Sequence, residues 1–486
     1  MSGPSHAETH GETVTTPEAA IDRLTTLHAA QVRAVADRFA AFARGEPLTR
    51  DAEVPGVYPE LRVSVPASDA ALTPSLNLGR PTTVNRFATT ITRPGLFADY
   101  LREELTDILS TYGATLTVGL SDRPIPLAFA VDAAEQGLSP EQRIRLPLYF
   151  HQPDLVATHD EVVDGHRLLD RDGPSPLALF PAERIDYSLA RIRHYCASDP
   201  QHFQPYLLFT NYQRYVDEFI EFAHAELDAG RACALVEPGN RTTRAGKDPD
   251  GAPLAKLPQM PAYHLKREGA AGVTLVNIGV GPSNAKTITD HLAVLRPHVW
   301  LMVGHCGALR RSQRLGDYVL AHAYLREDGV LDHVLKPSIP VPALAEVQLA
   351  LTRAVETVTG FSGAELKRHL RTGTVVTTDD RNWELRFREV AGDLNQARAI
   401  AIDMESATVA ANGYRYRVPY GTLLCASDRP LHGELKLPGM ADAFYEARVS
   451  QHLAIGLEAL RALEADEKAG TLHSRKLRSF DEPLLR

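Results

Sequence analysis

The sequence predicts an α/β protein, with a central mixed, largely parallel sheet flanked by helices in its C-terminal half and an α+β domain before it. Three observations predict this. After residue 230, short apolar runs alternate with amphipathic stretches of helical period. Two of those runs end in acids, Ala399–Glu405 and Gly421–Asp428. Before residue 230 the strand-like runs are separated by many prolines and follow no such alternation.

At 486 residues the chain has room for two or three domains. Residues 1–15 are polar and are expected to be a disordered lead-in. Residues 16–229 form the α+β domain. From Pro17 to Arg44, Leu24, Leu27, Val32, Val35 and Phe39 recur at helical spacing, and Gly45 and Pro47 stop the helix. Leu61–Val65, Thr115–Gly119 and Ile125–Ala130 read as strands. Asn211–Ala229 reads as a helix: Tyr215, Phe219, Phe222 and Ala223 share one face, and Gly230 sits where a left-handed cap belongs. The stripe reads as core packing. Cys233–Val236 reads as a buried strand, which sets the domain boundary near 230.

In 230–465, Val273–Ile278, Val299–Val303, Tyr318–Ala321, Thr374–Thr377, Ile400–Ile402 and Thr422–Cys425 read as strands. Helices are predicted near 284–295, 342–358, 405–412 and 441–464. Residues 466–486 form a charged tail carrying Arg475, Lys476 and Arg478.

Composition narrows the function. A net charge of −9 argues against a general nucleic-acid binder or an anionic-membrane binder. Cys196, Cys233, Cys306 and Cys425 are scattered, with no CxxC pair, so neither a metal site nor a disulfide framework is expected. No apolar run approaches the roughly 18 residues of a membrane span. The N-terminus lacks a basic-then-apolar signal pattern, and a cytoplasmic location follows as the expectation.

Four stretches offer chemistry. Gly279-Val-Gly281-Pro-Ser283-Asn284-Ala285-Lys286 follows a strand and opens a helix, so its N–H groups suit an anion; it fits neither P-loop nor GxGxxG spacing. Val303-Gly304-His305-Cys306-Gly307-Ala308 is expected as a turn after a strand, where two glycines admit a ligand and His305 either contacts it or is structural. Gly239-Asn240-Arg241-Thr-Thr-Arg244-Ala-Gly246-Lys247 offers three cations to a phosphate, or is a solvated loop. Glu405 and Asp428 each end a buried-looking strand. A carboxyl shielded there is suited to general acid work, with Arg429 and Lys436 near enough to oppose that or to orient it.

Three motifs, Val303-Gly-His-Cys-Gly-Ala308, the helix start Asp403-Met-Glu-Ser-Ala407 and the strand end Ser427-Asp428, in this order within 230–465, resemble the purine nucleoside phosphorylase and nucleosidase superfamily. The longer match is similar to its AMP nucleosidase branch. It includes Arg417–Cys425, Pro430–Gly439, Leu472–Arg478 and, in the N-terminal half, His202–Gln213. The resemblance implies a nucleoside-phosphorylase-like catalytic domain, a regulatory N-terminal domain and AMP as substrate. It implies that Asp428 protonates N7 of the base, while Glu405 accepts from the ribose hydroxyls and Met404 packs on the sugar. Ser427, Gly304 and His305 would complete the site, and Gly239, Arg241 and Arg244 the phosphate loop. An oxocarbenium-like state and attack by water would follow.

The departures from the family pattern matter too. Phosphorylases carry Arg and Ser, which hold their phosphate nucleophile, where this chain has Met302 and His305. Water is therefore the expected nucleophile, with His305 a candidate to meet it or the substrate and Glu237 a candidate to activate it. Trp383 stands where the family places an aromatic that stacks on the base, or else is a core residue. The resemblance further implies a homohexamer, no cofactor for the chemistry, Mg-ATP as allosteric activator and phosphate as inhibitor. The alternatives are a phosphate-dependent phosphorylase and a non-catalytic nucleotide sensor.

Overall fold

The computed structural model describes residues 11–48, 55–66, 86–132, 137–165, 174–434, 442–472 and 483–485. The chain divides into two compact units, Met1–Ala190 with Arg478–Arg486, and Arg191–Leu477.

The first unit carries a five-stranded sheet ordered β1-β4-β2-β3-β5. Its strands are β1 (Glu12–Val14), β2 (Val57–Ser64), β3 (Arg86–Thr90), β4 (Thr115–Pro124) and β5 (Ser175–Pro176). Helix Pro17–Ala43 starts where Thr16 accepts a hydrogen bond from Ala19 N at 3.2 Å and proline fills the first helical turn. Ala20, Ile21 and Leu24 of this helix join Leu101, Leu105 and Ile108 of helix Ala98–Tyr112 in the core against Leu61, Val63 and Leu116. Helices against a sheet that is antiparallel but for its β3–β5 pair make this the expected α+β domain.

Three expectations change. Glu12–Val14, expected in the disordered lead-in, is a strand, because its ladder with Val118–Leu116 satisfies its backbone groups. Leu127–Ala130 is one helical turn, since Pro124 and Pro126 deny a sheet ladder its N–H groups. The expected tail from 466 is divided. Helix Asp442–Lys468 runs on through its start, and Leu484 and Leu485 join the core of the first unit, with Leu485 N donating to Leu177 O at 2.9 Å. Arg475, Lys476 and Arg478 lie outside the described residues, as does the second half of Pro430–Gly439, Lys436 included.

The second unit is built on one ten-stranded sheet. Its strands are β6 (Tyr206–Thr210), β7 (Ala234–Glu237), β8 (Arg241–Thr243), β9 (Ala262–Lys266), β10 (Val273–Asn277), β11 (Val299–Ala308), β12 (Tyr318–Glu327), β13 (Leu370–Thr378), β14 (Ala401–Asp403) and β15 (Tyr420–Asp428). Their order is β14-β13-β12-β15-β11-β6-β10-β9-β7-β8. The run β15-β11-β6-β10 is parallel throughout, as is β12-β13-β14, while β12–β15 and the β10-β9-β7-β8 end are antiparallel. A further antiparallel pairing of β14 with β11 closes β14-β13-β12-β15-β11 on itself.

The boundary expected near 230 falls inside this unit. β6 is buried at all five positions and lies between β11 and β10, so it and helix Gln213–Asp228 belong to the large sheet. The aromatic stripe of that helix is core, with Tyr215 and Phe219 fully buried, and Gly230 takes the left-handed cap at φ 69°. β11 also runs on through His305 to Ala308, where a turn was expected.

Candidate active site

β14 lies antiparallel to β11, with Ala401 opposite Ala308 and Ile402 opposite Gly307. It therefore runs back along β11 and carries Glu405 towards Gly304. β15 lies parallel to β11 and ends with Asp428 opposite Gly307. The two acids thus follow strands that flank the extended Gly304–Gly307 stretch and run in opposite directions. Both glycines sit in close quarters there. A Cβ at 304 would stand 3.1 Å from Met302 Cε and 3.3 Å from Asn211 Oδ1. One at 307 would stand 3.2 Å from Ile402 Cγ2 and 3.5 Å from Asp428 Oδ2.

Glu405 is 1% exposed. Its Oε2 accepts from Asn211 Nδ2 at 3.0 Å and its Oε1 from Gly281 N at 2.6 Å. Gly281 is the cap of helix Pro282–Leu292 and sits at φ 114°, a conformation open to glycine. The anion site expected at this helix start is therefore occupied by the protein's own carboxylate. Two residues before Glu405, the buried Asp403 reaches the first residue of helix Ser406–Tyr416. Its Oδ2 accepts from Ser406 N at 2.9 Å, and Oδ1 from Thr377 Oγ1 at 2.6 Å. Burial raises both carboxyls above their ordinary range, and the neighbouring Asp403 adds to the rise at Glu405. Each hydrogen bond to Glu405 works the other way.

Asp428 is half-buried and its Oδ1 accepts from Ser427 Oγ at 2.6 Å. Arg429 is turned to Glu434, with Nε 2.6 Å from its Oε2, and to the carbonyl of Gln313 at 2.8 Å. Met404 is half-buried beside Glu405. His305 is buried on β11, and its ring nitrogen Nε2 lies 3.3 Å from Tyr215 Oη. Trp383 enters a buried apolar cluster with Leu309, Val376, Leu394 and Ile402, so its ring is used in packing, the second of its two expected readings.

The basic loop follows β7. β7 and β10 are both antiparallel to β9, so they run parallel and their C-terminal ends share an edge. Two strand spacings, about 10 Å, separate that end from the Gly279–Gly281 turn. Gly239 holds φ 83°, and a Cβ there would meet Leu254 Cδ2 at 2.9 Å. Arg241 donates to Glu237 at 2.5 Å, and Arg244 is exposed. Glu237, the residue expected to activate water, thus has its charge matched by Arg241. Lys286 is paired with Asp290 at 2.5 Å.

Sequence reasoning missed Asn211 and Asp403 as site residues. Asp403 had a signal, an acid three residues before a helical serine. Asn211 had none, since its partner lies 194 positions away. Among the described residues, no group of three or more His, Cys, Asp or Glu is placed to hold a metal, and no helix is long and apolar enough to cross a membrane.

Two family models match the chain: the bacterial AMP nucleoside phosphorylase N-terminus over residues 19–174, and the phosphorylase superfamily over residues 252–461. A curated AMP nucleosidase of Escherichia coli K12 is 50% identical over 480 residues, 97% of this chain and 98% of that one. A guanosine phosphorylase of Halorubrum lacusprofundi is 27% identical over 39% of this chain and 76% of its own. Among solved structures, an AMP nucleosidase of Bacteroides thetaiotaomicron is 28% identical with a TM-score of 0.41, over 57% of this chain and 96% of that one.

Proposed function

The chain belongs to the AMP nucleosidase family, and from that membership we infer that it is an N-glycosyl hydrolase, cleaving AMP with water to adenine and ribose 5-phosphate. The match over nearly the whole length of both chains carries this reading.

The division of labour is our proposal. Asp428 protonates N7 of adenine, so the base leaves neutral. Glu405 accepts from the ribose hydroxyls. Asn211 and the Gly281 N–H hold each of its oxygens, so its remaining lone pairs are aimed before substrate arrives. As the C1′–N9 bond breaks, positive charge grows on the sugar, and a fixed carboxylate beside it favours that state. Met404 packs on the sugar, and His305 meets the attacking water. The Gly239–Arg244 loop takes the 5′-phosphate. Its place on the same sheet edge, about 10 Å from the turn that holds Glu405, suits the reach from ribose hydroxyls to phosphate.

We propose on the family resemblance alone that the protein is a cytoplasmic homohexamer, activated by Mg-ATP and inhibited by phosphate, with its N-terminal domain regulatory. The deciding experiment is incubation with AMP in phosphate-free buffer, with and without Mg-ATP, followed by chromatography. Adenine and ribose 5-phosphate are expected; adenine released only after phosphate is added would make the protein a phosphorylase.

A further inference from the structure

The hydrogen positions around His305 can be assigned from its neighbours. Its Nε2 lies 3.3 Å from the hydroxyl of Tyr215. That hydroxyl is 2.7 Å from Nδ1 of His452, whose Nε2 is 3.0 Å from the carbonyl oxygen of Leu423. A carbonyl only accepts, so Nε2 of His452 carries a hydrogen and donates it. Burial pushes His452 down to about 3, which keeps the ring neutral and makes its Nδ1 an acceptor. Tyr215 has one hydroxyl hydrogen and gives it to that nitrogen. Its oxygen then accepts from His305, so Nε2 of His305 carries the hydrogen of that ring. A neutral imidazole has one N–H, which leaves Nδ1 as the acceptor.

We propose that Tyr215 and His452 are positioning residues for the hydrolysis, holding His305 in the Nε2-protonated tautomer so that Nδ1 accepts a hydrogen from the attacking water. This rests on the reading of His305 as the group that meets the water. Of the two, Tyr215 comes from outside the superfamily match, on helix Gln213–Asp228 between the two matched regions, while His452 lies within the second. The step balances. Water forms its O–C1′ bond as its proton passes to Nδ1. The C1′–N9 electron pair leaves with the base, and N7 takes the proton of Asp428. The imidazolium donates to the Tyr215 oxygen until its added proton returns through solvent to Asp428. An acceptor nitrogen also sets the nucleophile, because phosphate oxygens call for donors.

Tyr215→Phe tests the relay and His305→Ala tests the reading beneath it. With Tyr215→Phe, kcat is expected to fall about ten- to a hundredfold per folded site while KM for AMP stays within about twofold. A purely structural role would lower the melting temperature and the folded fraction and leave kcat per folded site intact. A second pair needs no change at Tyr215. Asparagine at 305 puts an acceptor where Nδ1 stands, and glutamine puts a group where Nε2 stands, so His305→Asn is expected to keep more turnover than His305→Gln. If His305→Ala abolishes turnover while Tyr215→Phe keeps wild-type kcat, or if His305→Gln outperforms His305→Asn, the relay is wrong and His305 keeps its role. Full activity in His305→Ala would remove His305 from the reaction, and the relay with it.

Discussion

Asn211 donates from Nδ2 to Oε2 of Glu405 at 3.0 Å, joining the end of β6 to the start of helix Ser406–Tyr416. The bond favours the charged carboxylate and opposes the rise that burial causes. Asn211→Ala removes that opposition, so Glu405 titrates at still higher pH. The acid limb of kcat/KM for AMP is expected to move upward, since the ribose hydroxyls donate to a carboxylate and not to an acid. A hydrogen bond to a charged group is worth about 1.5–3 kcal/mol, so kcat/KM at neutral pH should fall about ten- to a hundredfold. An unmoved acid limb would show that Glu405 is not the group being titrated.

Glu405→Gln separates activity from stability. Glu405 is raised on folding from an ordinary value of 4.5. Such a group stabilises the fold fully below 4.5, and that contribution is lost as pH rises through its folded value. Glutamine does not titrate, and its loss of charge also eases ionisation of Asp403. The variant is therefore expected to lose turnover and AMP affinity, yet to gain melting temperature relative to the wild type as pH rises from 5 towards 9. Asn211 can turn its amide to accept from the new Nε2, which keeps the site satisfied. A melting-temperature difference that is flat with pH would mean that Glu405 is not raised.

The sequence reveals the acids and the parallel core for the same reason. β14 and β15 are apolar, mostly buried runs, and an acid at the end of such a run is conspicuous. It conceals the geometry around them. Gly304 and Gly307 look like turn residues, yet they are extended, and their absence of side chains serves Met302, Ile402 and Asp428 instead. β6 is a five-residue run between Pro205 and Asn211, too short to assign to a sheet whose other strands begin beyond 230. Its place between β10 and β11 is a tertiary choice, and with it come Asn211 and Tyr215. Local patterning cannot encode contacts across 194 or 237 positions.

Asp428→Asn tests the general acid. Asparagine keeps an acceptor for Ser427 Oγ, which now bonds Asp428 at 2.6 Å, so the fold and the base pocket should survive. A positioned general acid contributes about 10²–10⁴-fold, and that loss is expected in kcat, with AMP binding held within a few fold. Single-turnover measurement of adenine release isolates the chemical step from product loss. Wild-type turnover would take Asp428 out of the protonation step and leave Ser427 to be examined in its place.

The phosphate loop is tested by substrate, not by rate alone. Arg241 is already matched by Glu237 at 2.5 Å, whereas Arg244 stands exposed just past β8. Arg244 is therefore the freer of the two to take a dianion, and Arg241 would exchange a carboxylate for a phosphate. Arg244→Ala is expected to raise KM for AMP about ten- to a hundredfold, the worth of a charge-assisted hydrogen bond. Adenosine lacks the phosphate, so its kcat/KM should stay unchanged in the variant. Comparing the two substrates in wild type and variant gives the interaction directly. Equal losses on both would place Arg244 in folding or in base binding, and the 5′-phosphate would have to be sought at Arg241 or Lys286.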